Sequence, residues 1–160
     1  MYDSPLHNPF NTAWHVVERK PNMEAGNQSE ESSPLPGVLI IDDDEHVRML
    51  LRSVLTRSGW AVWTAADGVQ ALSIYKQNES SIQVVLLDFH MPGLDGLETL
   101  HFLRRISPDI VCCFMSGMIP DETRAAIARE PNAYLLAKPF PINKLSGHLN
   151  DLLAKSPQRS

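Results

Sequence analysis

Val84-Val85-Leu86-Leu87-Asp88-Phe89-His90-Met91-Pro92-Gly93-Leu94-Asp95-Gly96 is an apolar run that ends in a carboxylate and passes into a loop rich in proline and glycine. Large apolar residues in unbroken succession bury both faces of a strand, as a parallel sheet covered by helices requires. The carboxylate of Asp88 then stands at the rim of that sheet, where open α/β sheets bind ligands and do their chemistry. An aspartate in such a place can ligate a metal, act as a base or attack as a nucleophile. The rest of the chain must decide which.

Working outward from this stretch, strand-like and helix-like segments alternate. Val38-Leu39-Ile40-Ile41 is a second fully apolar run, ended by Asp42-Asp43-Asp44. Val47, Leu50, Leu51, Val54 and Leu55 fall at helical spacing, and Gly59 stops that helix. Trp60 to Thr64 predicts a strand. Asp67 can cap a helix that turns Val69, Leu72 and Tyr75 inward. The strand containing Val84 starts at Ile82. Asp95 can cap a helix marked by Leu97, Leu100 and Leu103. Ile110 to Met115 is a further strand, and Pro120-Asp121-Glu122 opens a helix with proline in its first turn. Ala133 to Ala137 reads as the last strand, and Leu145, Leu149 and Leu152 mark a closing helix over about 143–154. The expected architecture is α/β, a five-stranded parallel sheet with five helices on its two faces. Its crossovers should be right-handed.

The remaining sequence sets boundaries. Residues 1–36 are rich in Asn, Ser, Glu and Pro and read as a tail and linker, with Trp14-His15-Val16-Val17 as the one apolar patch. One domain is expected over 37–155, with 156–160 a short C-terminal tail. The chain has 160 residues, 43% hydrophobic, enough for one continuous core, and a net charge of −5. That balance argues against a nucleic-acid partner. No stretch is long and apolar enough to span a bilayer, and no signal-peptide core opens the chain, so a cytoplasmic protein without a membrane partner is expected. Cys112 and Cys113 are adjacent in an apolar run. Neighbouring strand residues point to opposite faces, which makes them core thiols rather than a disulfide or a metal site. His46, His101 and His148 lack metal-ligand spacing and read as surface residues.

All strand ends of a parallel sheet lie along one rim, so the polar residues that follow the strands should meet there. Strand one delivers Asp42 and Asp43, strand three Asp88, strand four Ser116 and then Gly117, and strand five Lys138, followed by Pro139 and Phe140. Each has an ordinary explanation alone, as a turn former, a cap or a solvated charge. Together they make a pocket of several carboxylates, a hydroxyl and an ammonium. Clustered carboxylates repel and call for a cation, and a hard divalent ion such as Mg²⁺ suits oxygen ligands. One carboxylate could then attack a phosphorus in line and become an acyl phosphate. Lys138 and Ser116 would serve the phosphoryl oxygens, and Gly117 would leave room for the group to enter.

With these motifs in place, the chain resembles the receiver domain of bacterial two-component response regulators over about residues 36–155. The resemblance rests on Val38 to Asp44, Leu87 to Gly96, Phe114-Met115-Ser116-Gly117 and Lys138-Pro139-Phe140. It implies a flavodoxin-like doubly wound sheet of order 2-1-3-4-5. It implies Asp88 as phosphoacceptor, Mg²⁺ held by Asp43, Asp88 and the His90 main-chain carbonyl, and Asp42 acting through water. Ser116 would be the switch hydroxyl, Lys138 the pocket lysine, and the bond before Pro139 a cis peptide. The family's switch aromatic falls here on Leu135. Tyr134, one place earlier, should face the other side of the sheet unless a bulge restores it. The His90 side chain borders the pocket mouth.

The function so implied is a stand-alone receiver. Its phosphodonor would be a sensor histidine kinase or a histidine phosphotransfer protein. Phosphorylation would change contacts with a downstream protein through the face of helix four, strand five and helix five. Arg124, Ala125, Arg129, Asn143, Lys144 and His148 are candidate contact positions there. No output domain follows the last helix, and the only catalysis expected is of its own phosphorylation and dephosphorylation. Two other classes compete. An aspartyl-phosphate phosphatase or phosphotransferase acting on a separate substrate would need a lid to exclude water, and no insertion could form one. A phosphate-independent adaptor would have lost pocket residues, and none of the core set is missing.

Overall fold

The computed structural model describes residues 33–156. Five parallel strands form one sheet in the order β2-β1-β3-β4-β5, from β1 (Gly37–Ile41), β2 (Ala61–Ala65), β3 (Val84–Asp88), β4 (Val111–Ser116) and β5 (Ala133–Ala137). Between and after them run α1 (Glu45–Arg57), α2 (Gly68–Asn78), α3 (Gly96–Ile106), α4 (Asp121–Arg129) and α5 (Leu145–Lys155), with short 3₁₀ turns at Glu79–Ser81 and Ile142–Lys144. This is the expected doubly wound fold. The Trp14 to Val17 patch and the expected N-terminal tail up to residue 32 lie outside the described residues.

Strand alternation builds two cores. Leu39, Ile41, Val85, Leu87, Cys112 and Phe114 pack on one face with Ala71 and Tyr75 of α2, Leu100 and Leu103 of α3 and Ile127 of α4. Val38, Ile40, Val84, Leu86, Cys113 and Met115 pack on the other with Leu51 and Leu55 of α1 and Leu149 of α5. The two cysteines are buried free thiols on opposite faces. Burial pushes the Cys113 thiol up to about 12, so it is an inert apolar filler at neutral pH.

Helix ends follow the sequence signals. Asp44 caps α1 by accepting from the His46 and Val47 N–H groups, and Gly59 (φ 87) carries the turn beyond it. Asp67 caps α2 through Gln70 N–H. Asp95 and Glu98 form a reciprocal capping box on α3, which fixes the end of the loop that starts at Asp88. Pro120 stands at the N-cap of α4, one position before the first turn.

One inward assignment is corrected, and one residue of a helical pattern lies off its buried stripe. Val69 is 69% exposed, and Leu50 is 49% exposed. In α2 the inward stripe runs through Gly68, Ala71 and Tyr75, and Val69 lies one residue, about 100° of helix rotation, off it. In α1 the stripe is Leu51 and Leu55, and Leu50 is displaced in the same way. Strand ends shift by about one residue: β2 omits Trp60, which is buried beside α1 and donates its indole N–H to Ser146 Oγ at 2.9 Å.

Strand order places the site. β1 lies inside the sheet, with β2 on one side and β3 on the other, so the strand order reverses between β1 and β3 while the strands stay parallel. Crevices form at such reversals, outside the carboxyl ends of the strands. Ile41 pairs with Leu87 there, and the next residues are Asp42 and Asp88.

Candidate functional site

Asp42, Asp43 and Asp88 meet in this crevice, each offering a carboxylate oxygen within 4.8 Å of the others. Asp42 is 1% and Asp88 7% exposed, whereas Asp43 faces solvent. Asp42 is tied down from both ends: its N–H donates to Ala65 O at 3.2 Å, and its Oδ1 accepts from Asp44 N–H at 2.9 Å. Burial raises its carboxyl above the ordinary 3.8. The Asp44 N–H and the Lys138 ammonium act against that rise, and the Asp88 and Asp43 charges add to it.

Lys138 follows β5 and reaches back over the rim. Its Nζ lies 3.5 Å from Asp88 Oδ1 and 3.6 Å from Asp42 Oδ2. These are ion-pair separations, too long for good hydrogen bonds. Among the described residues, Asp42 Oδ2 therefore remains a buried oxygen without a hydrogen-bond donor. A buried, donor-less carboxylate oxygen amid two further carboxylates is a demand for a cation that one lysine only half meets. Oxygen donors in this number and charge fit a hard divalent ion such as Mg²⁺.

The lysine is placed by its own backbone. Lys138 N–H donates to Ser116 O at 2.8 Å, which joins the ends of β4 and β5, and the Lys138–Pro139 peptide is cis. Ser116 is buried and adjoins Met115, the register partner of Asp88. Its hydroxyl donates to Met118 O at 3.2 Å. Gly117 is exposed at the mouth. His90 Nε2 lies 2.9 Å from the same Met118 O, so that nitrogen carries the proton, and the His90 N–H donates to Asp88 Oδ1 at 3.3 Å. The loop after Asp88 and the loop after Ser116 thus share one carbonyl oxygen.

The position expected for a switch aromatic holds no aromatic ring. β4 and β5 pair in continuous register from Cys112↔Ala133 to Ser116↔Ala137, with no bulge. Tyr134 packs on the face of α1 and α5. Leu135 packs with Phe114 and Ile127 on the opposite face, the face to which Ser116 belongs by alternation. The bulge that could have restored Tyr134 is absent between β4 and β5.

Sequence reasoning missed two contributors. Arg48 Nη1 donates to the Asp42 and Asp43 carbonyl oxygens at 2.7 and 3.1 Å. A cation one turn into a helix that follows consecutive aspartates was the available signal. The Met118 carbonyl had none, because a main-chain acceptor is independent of side-chain identity. Neither His101 nor His148 is a bare surface residue. His101 Nε2 lies 3.0 Å from Glu130 Oε1, and Arg104 of α3 also pairs with Glu130. His148 is half-buried, its Nε2 enclosed without a partner.

A family model described as the response regulator receiver domain matches residues 38–150, which takes in every strand except Gly37 at the start of β1, both acidic segments and Lys138. The chain is a response regulator receiver domain. Its curated relatives include the sensor kinase CckA of Brucella abortus, 33% identical over 79% of this chain and 14% of that protein. They also include the transcriptional regulatory protein PrrA of Mycobacterium tuberculosis, 33% identical over 75% of this chain and 51% of that protein. The chain thus spans about half, or much less, of the relatives it matches. Among solved structures, a receiver domain protein of Clostridium thermocellum superposes with a TM-score of 0.69 at 27% identity, covering 76% of this chain and 96% of that one. The chemotaxis protein CheY4 of Vibrio cholerae gives 0.68 at 25%, covering 74% and 98%. Receiver domains work by phosphorylation of an aspartate, and the cluster of Asp42, Asp43 and Asp88 is an acidic site of the type that serves it. Among the described residues, no helix is long and apolar enough to cross a membrane.

Proposed function

We propose that Asp88 is the phosphoacceptor and that Asp43, Asp88 and the His90 main-chain carbonyl would hold Mg²⁺, with Asp42 acting through water. One observation carries this reading: residues from the ends of β1, β3 and β5 converge on one crevice, with the Lys138 ammonium paired to Asp88. Asp88 Oδ1 is engaged by Lys138 and by the His90 N–H, whereas its second oxygen accepts no hydrogen bond from the described residues and is free to attack. Bound there, Mg²⁺ would offset charge on the carboxylates and on the incoming phosphoryl oxygens.

The reaction is an in-line displacement. An Asp88 oxygen forms a bond to phosphorus as the bond from phosphorus to the donor's imidazole nitrogen breaks, and that nitrogen keeps the electron pair and takes up a proton. Lys138, loosely paired at 3.5 Å, turns its ammonium to an oxygen of the transferred group. Ser116 exchanges Met118 O for another phosphoryl oxygen, and Gly117, without a side chain, leaves the entry open. The donor is a histidine kinase or histidine phosphotransfer protein. The sensor kinase among the relatives supports that class of partner. The changed loop alters contacts on the face of α4, β5 and α5, where Arg124, Ala125, Arg129, Asn143 and Lys144 are exposed.

Intact-mass measurement after incubation with acetyl phosphate and Mg²⁺ tests the assignment. One phosphoryl group should be added to the wild type, none to Asp88→Asn, and one to Asp44→Asn. A label that persists in Asp88→Asn would overturn the choice of residue.

A further inference from the structure

The loop between β1 and α1 supplies Asp42 and Asp43, and a side chain outside the pocket holds its main chain. Arg48, in the first turn of α1, places one guanidinium nitrogen, Nη1, 2.7 Å from the Asp42 carbonyl oxygen and 3.1 Å from that of Asp43. These two carbonyls belong to the peptide planes immediately before and after the Asp43 Cα. Each plane is rigid. A donor that bridges both therefore restrains the two backbone torsions of Asp43, and with them the direction of its Cα–Cβ bond.

Asp43 needs bracing of this kind. Its carboxylate is exposed and accepts no hydrogen bond from the described residues, whereas Asp42 is held by Asp44 N–H and Asp44 by its cap on α1. Arg48 is also poorly placed on electrostatic grounds. A cation near a helix N-terminus opposes the helix dipole, and a cation beside this pocket repels a divalent ion. Its charge works against metal binding, and its hydrogen bonds work for it.

We propose that Arg48 is a positioning residue for the metal site, holding the Asp43 carboxylate where it can ligate the ion. The proposal rests on the receiver reading of the pocket and goes beyond it in naming what presents the exposed ligand.

The opposition between charge and geometry gives the test a sign. Mn²⁺, as a paramagnetic stand-in for Mg²⁺, is titrated into the full chain and free ion is followed by electron paramagnetic resonance. Arg48→Ala should weaken Mn²⁺ binding by about 10-fold or more, as removal of groups that orient metal ligands does. If Arg48 acted only through its charge, the same substitution would tighten binding. Arg48→Lys keeps a donor for the two carbonyls and should fall between wild type and Arg48→Ala. With acetyl phosphate, Arg48→Ala should need correspondingly more Mg²⁺ for half-maximal labelling and reach the wild-type rate once saturated.

Unchanged or tighter Mn²⁺ binding by Arg48→Ala would overturn the proposal. If that variant does not fold, Arg48→Lys alone decides, and wild-type affinity there is the overturning result. Wild-type protein that binds no Mn²⁺, or binds it equally well as Asp43→Asn, sinks the pocket reading and this proposal with it. Binding that needs Asp43 but ignores Arg48 sinks the brace alone.

Discussion

Lys138 Nζ stands 3.5 Å from Asp88 Oδ1, close enough to pair and too far for a good hydrogen bond. The looseness matters, because an ammonium locked onto the carboxylate would have to be torn from it before reaching a phosphoryl oxygen. Its side chain is 32% exposed, so solvent screens the pair.

Lys138→Met should therefore fold, losing about 1 kcal/mol of stability, a value that allows for screening. Phosphoryl uptake from acetyl phosphate should slow by about 100-fold, as loss of one preorganised donor does. Denaturant unfolding and timed intact-mass measurement check the two halves separately. A variant that fails to fold would make the lysine structural.

Metal should stabilise the folded chain. At Mg²⁺ ten times above its dissociation constant, linkage gives about 1.4 kcal/mol. Thermal unfolding with and without Mg²⁺ should show the gain in wild type and lose it in Asp43→Asn. An equal gain in both proteins would place the ion elsewhere.

Acidity should act on the metal-free protein through Asp42. Its folded value is raised above 3.8, chiefly by burial, so the folded state holds this proton more tightly than the unfolded chain. Its contribution to stability is full below 3.8 and is lost as pH rises through the raised value. In chelator, Asp42→Asn should be more stable than wild type at neutral pH, with the difference closing as pH falls toward 3.8. Asp44 titrates the other way. The His46 and Val47 N–H groups lower its value, so its contribution is present above 3.8 and is lost below, in a separate window. A stability difference between Asp42→Asn and wild type that ignores pH would contradict the assignment.

Gly37→Ala should be destabilising by about 1–3 kcal/mol or more, the range for overpacking. A Cβ built there would lie 1.7 Å from the Ser81 carbonyl oxygen, which is main chain and cannot turn aside. Folded variant should still take up phosphate, because the site lies at the other end of β1. Wild-type stability in Gly37→Ala would mean that the 3₁₀ turn is not packed on β1 as described.

The legible part of the molecule was the part written in side-chain chemistry. Unbroken apolar runs ending in Asp42 and Asp88 marked buried strands and a rim, and Asp95 marked the start of α3. Val69 and Leu50 misled because an apolar residue one place off a helical stripe still looks periodic in a short window. Alternation alone put Tyr134 on the far face from Leu135, but only the register of β4 on β5 could exclude a bulge. The Met118 acceptor depends on where a main-chain carbonyl points, which residue names do not encode, and the sequence marked Arg48 only as a cation after the aspartates, not its grip on their carbonyls.

The shared acceptor at Met118 O bears on how readily this domain can change state. A carbonyl oxygen has two lone pairs, and here two donors, Ser116 Oγ and His90 Nε2, occupy them. If phosphorylation draws the hydroxyl away as proposed, the imidazole stays and the carbonyl keeps a donor. The loop would then hold its tether to the Asp88 side through the excursion, which gives up one hydrogen bond at this acceptor rather than two.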